Sequence, residues 1–274
     1  MLTTTYKKKG ISITHVWFME ETDKLPAIKT DIFYIHDSPI DRIETGPAVI
    51  LPHRTLISDL NRSEEALSRS ISRKCRQMVK QAEQDGITAI VYSSRELRNK
   101  ENLLKEFGSS HDKVYEQKGI QAIFNHDLVK KYIEADMLIV SVASFGGKNI
   151  AFHSYIISDQ FARGLYSVSN YRENGPDRHI VVKANTYLHY KDLLHFRKKG
   201  LSVYDWGGVQ SFDEPSGIDR FKMKFGGQRR TNYNIIAGQS VVGKATVTAL
   251  KMWYRLCTFY RKIISGFSTQ TQIV

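Results

Sequence analysis

Between Tyr204 and Gly227 the chain sets Tyr204-Asp205-Trp206-Gly207-Gly208 a few residues ahead of Gly217-Ile218-Asp219-Arg220-Phe221-Lys222-Met223-Lys224-Phe225-Gly226-Gly227. Interior glycines weaken a strand and mark bends or close approaches of backbone and ligand. A strand closed by an acid and a glycine pair therefore constrains the fold to one whose strand end opens onto a ligand. Asp205 is the first candidate there for binding a cationic group or accepting a proton. The plain structural alternative is an acid that caps the Gly207-Gly208 turn through backbone N–H groups.

The elements around this segment follow from periodicity. Met137 to Ala143, Asn149 to Ile157 and Ala162 to Ser169 are strand-like runs joined by Gly146-Gly147-Lys148 and Ser158-Asp159-Gln160, which predicts an antiparallel meander. A wide-faced helix follows over Ile180 to Lys199, with Ala184, Tyr187, Leu188, Tyr190 and Leu194 placed to cover that sheet, and Leu201 to Trp206 returns as a strand. Upstream, strands are expected at Ser12 to Met19, Asp31 to His36 and Ala48 to Leu51. Ser63-Glu64-Glu65 opens one helix running to Gly86, with Leu67, Ile71, Cys75, Met78 and Ala82 on a single stripe. Ile87 to Tyr92 reads as a buried strand, Glu96 to Lys118 as one or two helices, Asn125 to Ala135 as a helix and Asn232 to Ala237 as a last strand. The order predicts a mixed α/β (α+β) architecture with its site where the strands end.

Two cysteines, Cys75 and Cys257, lie far apart in helical patterns, which excludes a disulfide framework or a cysteine zinc site and fits a reducing, cytoplasmic compartment. Lys7, Lys8 and Lys9 precede alternating residues rather than the apolar core of a secretory signal. The net charge of +12 is unevenly placed. From Arg220 to Val274 there is no acid, against Arg220, Lys222, Lys224, Arg229, Arg230, Lys244, Lys251, Arg255, Arg261 and Lys262. A one-signed segment of this kind attracts polyanions: a phosphate-bearing cofactor, RNA or an anionic membrane surface.

In a helix from Val241 to Ile264, Val242, Ala245, Ala249, Met252, Leu256, Tyr260 and Ile263 share one stripe, and Lys244, Lys251, Arg255 and Lys262 another. With Trp253 and Phe259 close by, the apolar stripe either lies on an anionic leaflet or docks on the protein itself.

Tyr204-Asp205-Trp206-Gly207-Gly208 with Phe221-Lys222-x-x-Phe225-Gly226-Gly227 resembles the FemAB-type branch of the GNAT acyltransferase superfamily, which includes peptidoglycan aminoacyltransferases and acyltransferase-like proteins of envelope polysaccharide pathways. Thr55 to Leu60 leading into the helix with Arg73 and Arg76, the Leu165-Tyr166-Ser167-Val168-Ser169 strand, and the Ala184-Asn185 helix ending at Lys198-Lys199-Gly200 agree with it. The resemblance implies a GNAT-like mixed sheet flanked by helices in two lobes: a degenerate one over 1–100 and an acyltransferase lobe over 101–238, with a basic amphipathic helix and tail over 239–274. It implies transfer of an acyl group to an amine, on a small molecule or amino sugar of a cell-envelope or polysaccharide precursor, free or lipid-linked, in the cytoplasm or peripheral to the inner face of the membrane. The donor is acyl-CoA, or alternatively aminoacyl-tRNA; a third reading is a non-catalytic polyanion- or membrane-binding protein of the same fold.

Within that frame Phe221 and Lys222 engage the donor, the aromatic ring by stacking and the ammonium by neutralising a phosphate or developing oxyanion. Ser167, Asn185, Lys224, Gly226 and Gly227 join them, and Tyr204, Trp206, Arg73 and Arg76 fall to the acceptor. The stretch Arg172 to His179 lacks the glycine-rich pyrophosphate loop of an acetyl-CoA GNAT, leaving Arg172, Arg178 and Lys183 to substitute by charge. His153, alternating with Ala151 and Tyr155, is either a base facing the cleft or a hydrogen-bonded structural histidine. Tyr166 and Tyr171 are candidate proton donors to the leaving group, with packing as the commoner role. His189 and His195 stand six apart and match no metalloprotease spacing, neither cysteine has a partnering base, and no metal is expected.

Overall fold

The computed structural model describes residues 1–44, 46–119, 122–169 and 177–267, the side chains of 258–267 excepted. The chain forms two compact units, Arg54–Thr231, and Met1–His53 with Asn232–Val274. The elements in chain order are β1 (Leu2–Lys8), β2 (Ile11–Trp17), β3 (Ile32–Ser38), β4 (Ala48–Asp59), α1 (Glu64–Ser70), α2 (Arg73–Gln84), β5 (Thr88–Ser93), α3 (Ser94–Leu97), α4 (Glu101–Glu116), α5 (His126–Glu134), β6 (Leu138–Phe145), β7 (Lys148–Ile157), β8 (Phe161–Ser169), α6 (Arg178–Lys198), β9 (Val203–Val209), α7 (Gly217–Met223), β10 (Gln228–Gly238) and α8 (Val241–Phe267). The class is mixed α/β, sheet flanked by helices, as expected.

In the Arg54–Thr231 unit the strands lie in the order β4-β9-β8-β7-β6-β5. The meander β6-β7-β8 is antiparallel, as its turn residues predict: Gly146 and Gly147 both take positive φ, the requirement of a two-residue hairpin turn. Both faces of β7 are covered. Ala151 belongs to a cluster with Val79 and Ala82 of α2 and Val181, Ala184 and Leu188 of α6, while Phe152 on the opposite face stacks on Phe107 of α4 at 5.3 Å. That double cover is why β7 is buried along most of its length.

Two expectations need correction. The helix read from Ser63 to Gly86 is two helices, broken at Ile71, which is extended at φ −80° and ψ 139°. Ser72 restarts the helix by capping Cys75 N, while its own N–H donates to the carbonyl of Lys224 at 2.7 Å. The apolar stripe runs on through the break, so periodicity alone does not register it. The strand at Ile87 to Tyr92 is the sheet's last strand, β5, and alternates exposed and half-buried residues instead of being buried. Phe221 and Lys222 sit on a short helix, α7, opened by a reciprocal capping box between Ser216 and Asp219, a signature present in the sequence but unread.

The other unit pairs β1 with β2 antiparallel, β2 with β3 parallel and β3 with β10 antiparallel. The strand β1 was not expected. Val16, Phe33, Ile35, Ile235 and Ala237 fill one side of this unit. On the other, Val247, Leu250 and Tyr254 seat α8 against Ile32 and Val49. Gly243 makes that seating possible, because a Cβ there would meet the carbonyl oxygen of Asp31 at 1.7 Å.

Candidate functional site

The parallel pairing of β8 with β9 carries the site. It runs through Phe161–Val203, Ala162–Tyr204 and Arg163–Asp205 and then stops among the described residues, although β8 continues to Ser169 and β9 to Val209. From this point β8 keeps its antiparallel partner β7, and β9 its partner β4. The two strands therefore part like a wedge. Gly164 and Gly207 stand at its apex, and at Gly207 only hydrogen fits, since a Cβ there would lie 2.7 Å from the carbonyl oxygen of Gly164.

Asp205 and Lys222 meet here. Asp205 is only 6% exposed, and its Oδ1 accepts from Gly207 N at 2.8 Å and from the Thr55 hydroxyl. It thus caps the glycine turn, the structural alternative named for it, while standing beside Lys222. Lys222 is half-buried and its Nζ donates to the carbonyl of Gly208 at 2.6 Å, on the exposed end of β9. Burial, with the nearby Arg163 guanidinium, lowers the Lys222 pKa from 10.5 to about 8, against the opposing pull of Asp205 and Asp219. Ser167 is exposed on the parted length of β8 and Tyr166 is half-buried beside it.

A buried polar network lies behind the wedge. Tyr155 donates to Asp192 Oδ2 at 2.6 Å, so its oxygen accepts from Tyr204 at 2.8 Å, and Tyr204 accepts in turn from His189 Nδ1 at 3.2 Å. Burial holds His189 neutral, its pKa well below the ordinary value, with the charges of His153 and Lys222 adding to the effect. It stacks on His153 at 3.8 Å and faces Trp206 and Phe221 at 5.1 and 5.5 Å. His153 is 1% exposed; its Nδ1 meets Asp192 at 2.7 Å and its Nε2 meets Asn185 at 3.0 Å. Both ring nitrogens are occupied, the arrangement of a held histidine rather than of a base facing a cleft. Donor atoms of His153, His189 and Asp192 lie within 4.8 Å of one another, the composition of a metal centre, and Asp192 Oδ1 is buried with no hydrogen-bond partner among the described residues.

The remaining sequence candidates scatter. Trp206 is buried and donates to Ser58 at 2.9 Å; Tyr204 is wholly buried in the network. Phe221 packs half-buried on the core beside Phe225. Gly226 and Gly227 take φ of +77° and +106° and press on the carbonyls of Ser70 and Ile57, which ties α7 back to α1 and β4. Lys224 is exposed and serves through its carbonyl, which holds Ser72. Arg76 turns its guanidinium onto the carbonyls of Ser68, Arg69 and Ile71 and closes α1, whereas Arg73 is exposed. Lys183 pairs with Asp85 and so braces α6 on α2. Arg178 opens α6 in an exposed position. Tyr171 and Arg172 lie outside the described residues, as do the side chains of Phe259 and Tyr260.

Sequence reasoning missed Arg163, Thr55, Asp192 and Tyr155. A signal was present for two of them: Asn185, His189 and Asp192 are spaced four and three apart on α6, one polar face, and His153 and Tyr155 alternate on β7 opposite it.

No protein-family model matches the sequence, and no curated protein matches it. Among solved structures the chain is similar to the C-terminal domain of a putative lysylphosphatidylglycerol synthetase from Agrobacterium fabrum, with TM-score 0.51 and 15% identity over 80% of this chain and 71% of that one. It is similar to FemX with TM-score 0.53 and 13% identity over 72% of this chain and 63% of FemX, less than two thirds of that protein. A conserved protein of unknown function from Bacteroides thetaiotaomicron gives TM-score 0.50 and 9% identity over 86% and 82%. The fold is therefore like that of FemX and of the lysylphosphatidylglycerol synthetase domain. The wedge between β8 and β9, with Lys222 over its rim, is the candidate site. Among the described residues no helix is long and apolar enough to cross a membrane.

Proposed function

We propose that this FemAB-like protein transfers an acyl group from an activated donor to an amine, with acyl-CoA as donor and an envelope or polysaccharide precursor as acceptor. The parting of β8 and β9 beneath Lys222 carries the reading. An extended, amide-bearing arm such as that of CoA fits a gap between parallel strands. The acceptor nitrogen then attacks the carbonyl carbon, the carbon–sulfur bond breaks, and the thiolate takes up the proton that the new amide nitrogen sheds. The Lys222 ammonium stands where a developing oxyanion or a phosphate would be neutralised. Asp205 acts as a positioning residue, since its carboxylate holds the Gly207 turn and faces Lys222.

A second reading replaces acyl-CoA by aminoacyl-tRNA. It is favoured by the commitment of Lys183 to Asp85, which removes one of the cations meant to stand in for a pyrophosphate loop, and by the acid-free stretch after Arg220. Among the similar folds, one is named for a lipid bearing a lysyl group.

An amine library presented with acyl-CoA, followed by free-thiol release, tests the first reading. The wild type should lose activity as pH rises through about 8, where the Lys222 ammonium deprotonates. Lys222→Met should lower kcat and abolish that limb; an unchanged rate and profile would remove Lys222 from the mechanism. Transfer from charged tRNA alone would establish the second reading, and no turnover with either donor would defeat both.

A further inference from the structure

The structure resolves which face of α8 meets the protein. Gly243, Val247, Leu250 and Tyr254, at helical spacing, turn inward onto the unit built from β1, β2, β3 and β10. The apolar stripe found in the sequence is a different one, and it faces outward. Val242, Met252 and Leu256 are each more than half exposed, with Ala245 and Ala249 exposed between them and Val241 and Trp253 on its two edges. Lys244, Lys251 and Arg255, all exposed, line the border between this stripe and the docked face.

Exposed large apolar side chains gathered on one helix face mark a binding surface, since scattered ones need no explanation but a contiguous stripe does. We propose that α8 seats the protein on an anionic membrane surface, with Met252, Trp253 and Leu256 entering the interface and Lys244, Lys251 and Arg255 reaching phosphate headgroups. Charge decides the occupant. An apolar protein partner or a second copy of this helix would bring the three cations against one another or against neutral surface, whereas anionic headgroups meet them and leave the apolar stripe in the acyl boundary. Long cationic side chains extend their charge to headgroup level while their stems follow the apolar surface. The proposal is independent of the transfer chemistry, because none of these residues belongs to the wedge.

The full chain mixed with phosphatidylcholine vesicles, with and without phosphatidylglycerol, tests it by co-sedimentation and tryptophan emission. Of the three tryptophans, Trp17 and Trp206 are 1% and 4% exposed and Trp253 is 58% exposed, so a blue shift on adding vesicles reports Trp253. Binding should require phosphatidylglycerol and weaken with salt. The triple change Lys244→Gln, Lys251→Gln and Arg255→Gln should weaken it by roughly a hundredfold at low salt. Trp253→Glu with Leu256→Glu should abolish it without altering the thermal unfolding of the protein, as both side chains are exposed. Lys222→Met should bind vesicles like the wild type, which separates this outcome from the fate of the transferase reading. Equal binding to neutral vesicles, no emission shift, or a dimer that the Trp253→Glu, Leu256→Glu pair dissociates while vesicles are ignored would each overturn the proposal.

Discussion

Gly207 has φ +69° and would press a Cβ into the Gly164 carbonyl. Gly207→Ala therefore combines left-handed strain, about 1–3 kcal/mol, with a contact that only movement of β8 or β9 relieves. It should lower stability in urea unfolding and abolish transfer, whereas the exposed Gly147→Ala on the β6-β7 hairpin, with open space around it, should cost stability alone. Activity that survives Gly207→Ala would place the reaction away from the wedge. A second single residue sets a pH dependence. His15 is buried, its ring nitrogen 2.7 Å from that of His36, and burial lowers its pKa from 6.5 to about 4. The unfolded chain then takes up the proton before the folded one does. Stability is complete above pH 6.5 and is lost as pH falls toward about 4, by roughly 3 kcal/mol in all. Urea unfolding between pH 7 and 4 should show this loss, and His15→Phe should flatten that part of the profile.

At the scale of elements, Tyr155 shows what a helix and two strands share. Its hydroxyl bridges Asp192 on α6 and Tyr204 on β9, all three buried. Tyr155→Phe keeps the ring and removes the bridge, leaving the Asp192 carboxylate with one donor fewer; a cost of roughly 1–3 kcal/mol is expected in urea unfolding. No change would show that water replaces the hydroxyl. Elements of this kind were legible where a local pattern fixes them: the Gly146-Gly147 hairpin and the alternating strands of the meander follow from neighbours in sequence. The break between α1 and α2 was not, because the groups that hold it, Lys224 and Gly226, come from some 150 residues away. The site divides in the same way. Asp205, Gly207 and Lys222 announce themselves by residue type. Arg163 does not, since a buried charge with no patterned neighbours is recognised only once its partners are in place.

For the molecule as a whole, charge placement should discriminate the donor. The ten cations from Arg220 onward face no acid in sequence, and a bound polyanion would release counterions in proportion to the phosphates it brings. An acyl-CoA carries few phosphates, so the donor KM should rise only few-fold as salt is raised across the physiological range. A transfer RNA lays many phosphates on the protein, and its KM should climb steeply, with a log–log slope of about 0.7 for each single-stranded phosphate contact and more on duplex segments. Acyl-CoA as donor predicts the shallow line. Measured with both donors in parallel, a steep line for charged tRNA together with turnover would shift the assignment to the aminoacyl reading. A steep line for binding without turnover would mark the basic segment as a polyanion surface unrelated to catalysis. The C-terminal helix supplies an internal control for this comparison: removing the charges of Lys244, Lys251 and Arg255 should leave the salt response of a CoA donor unchanged, because those cations line α8 and not the parted strands.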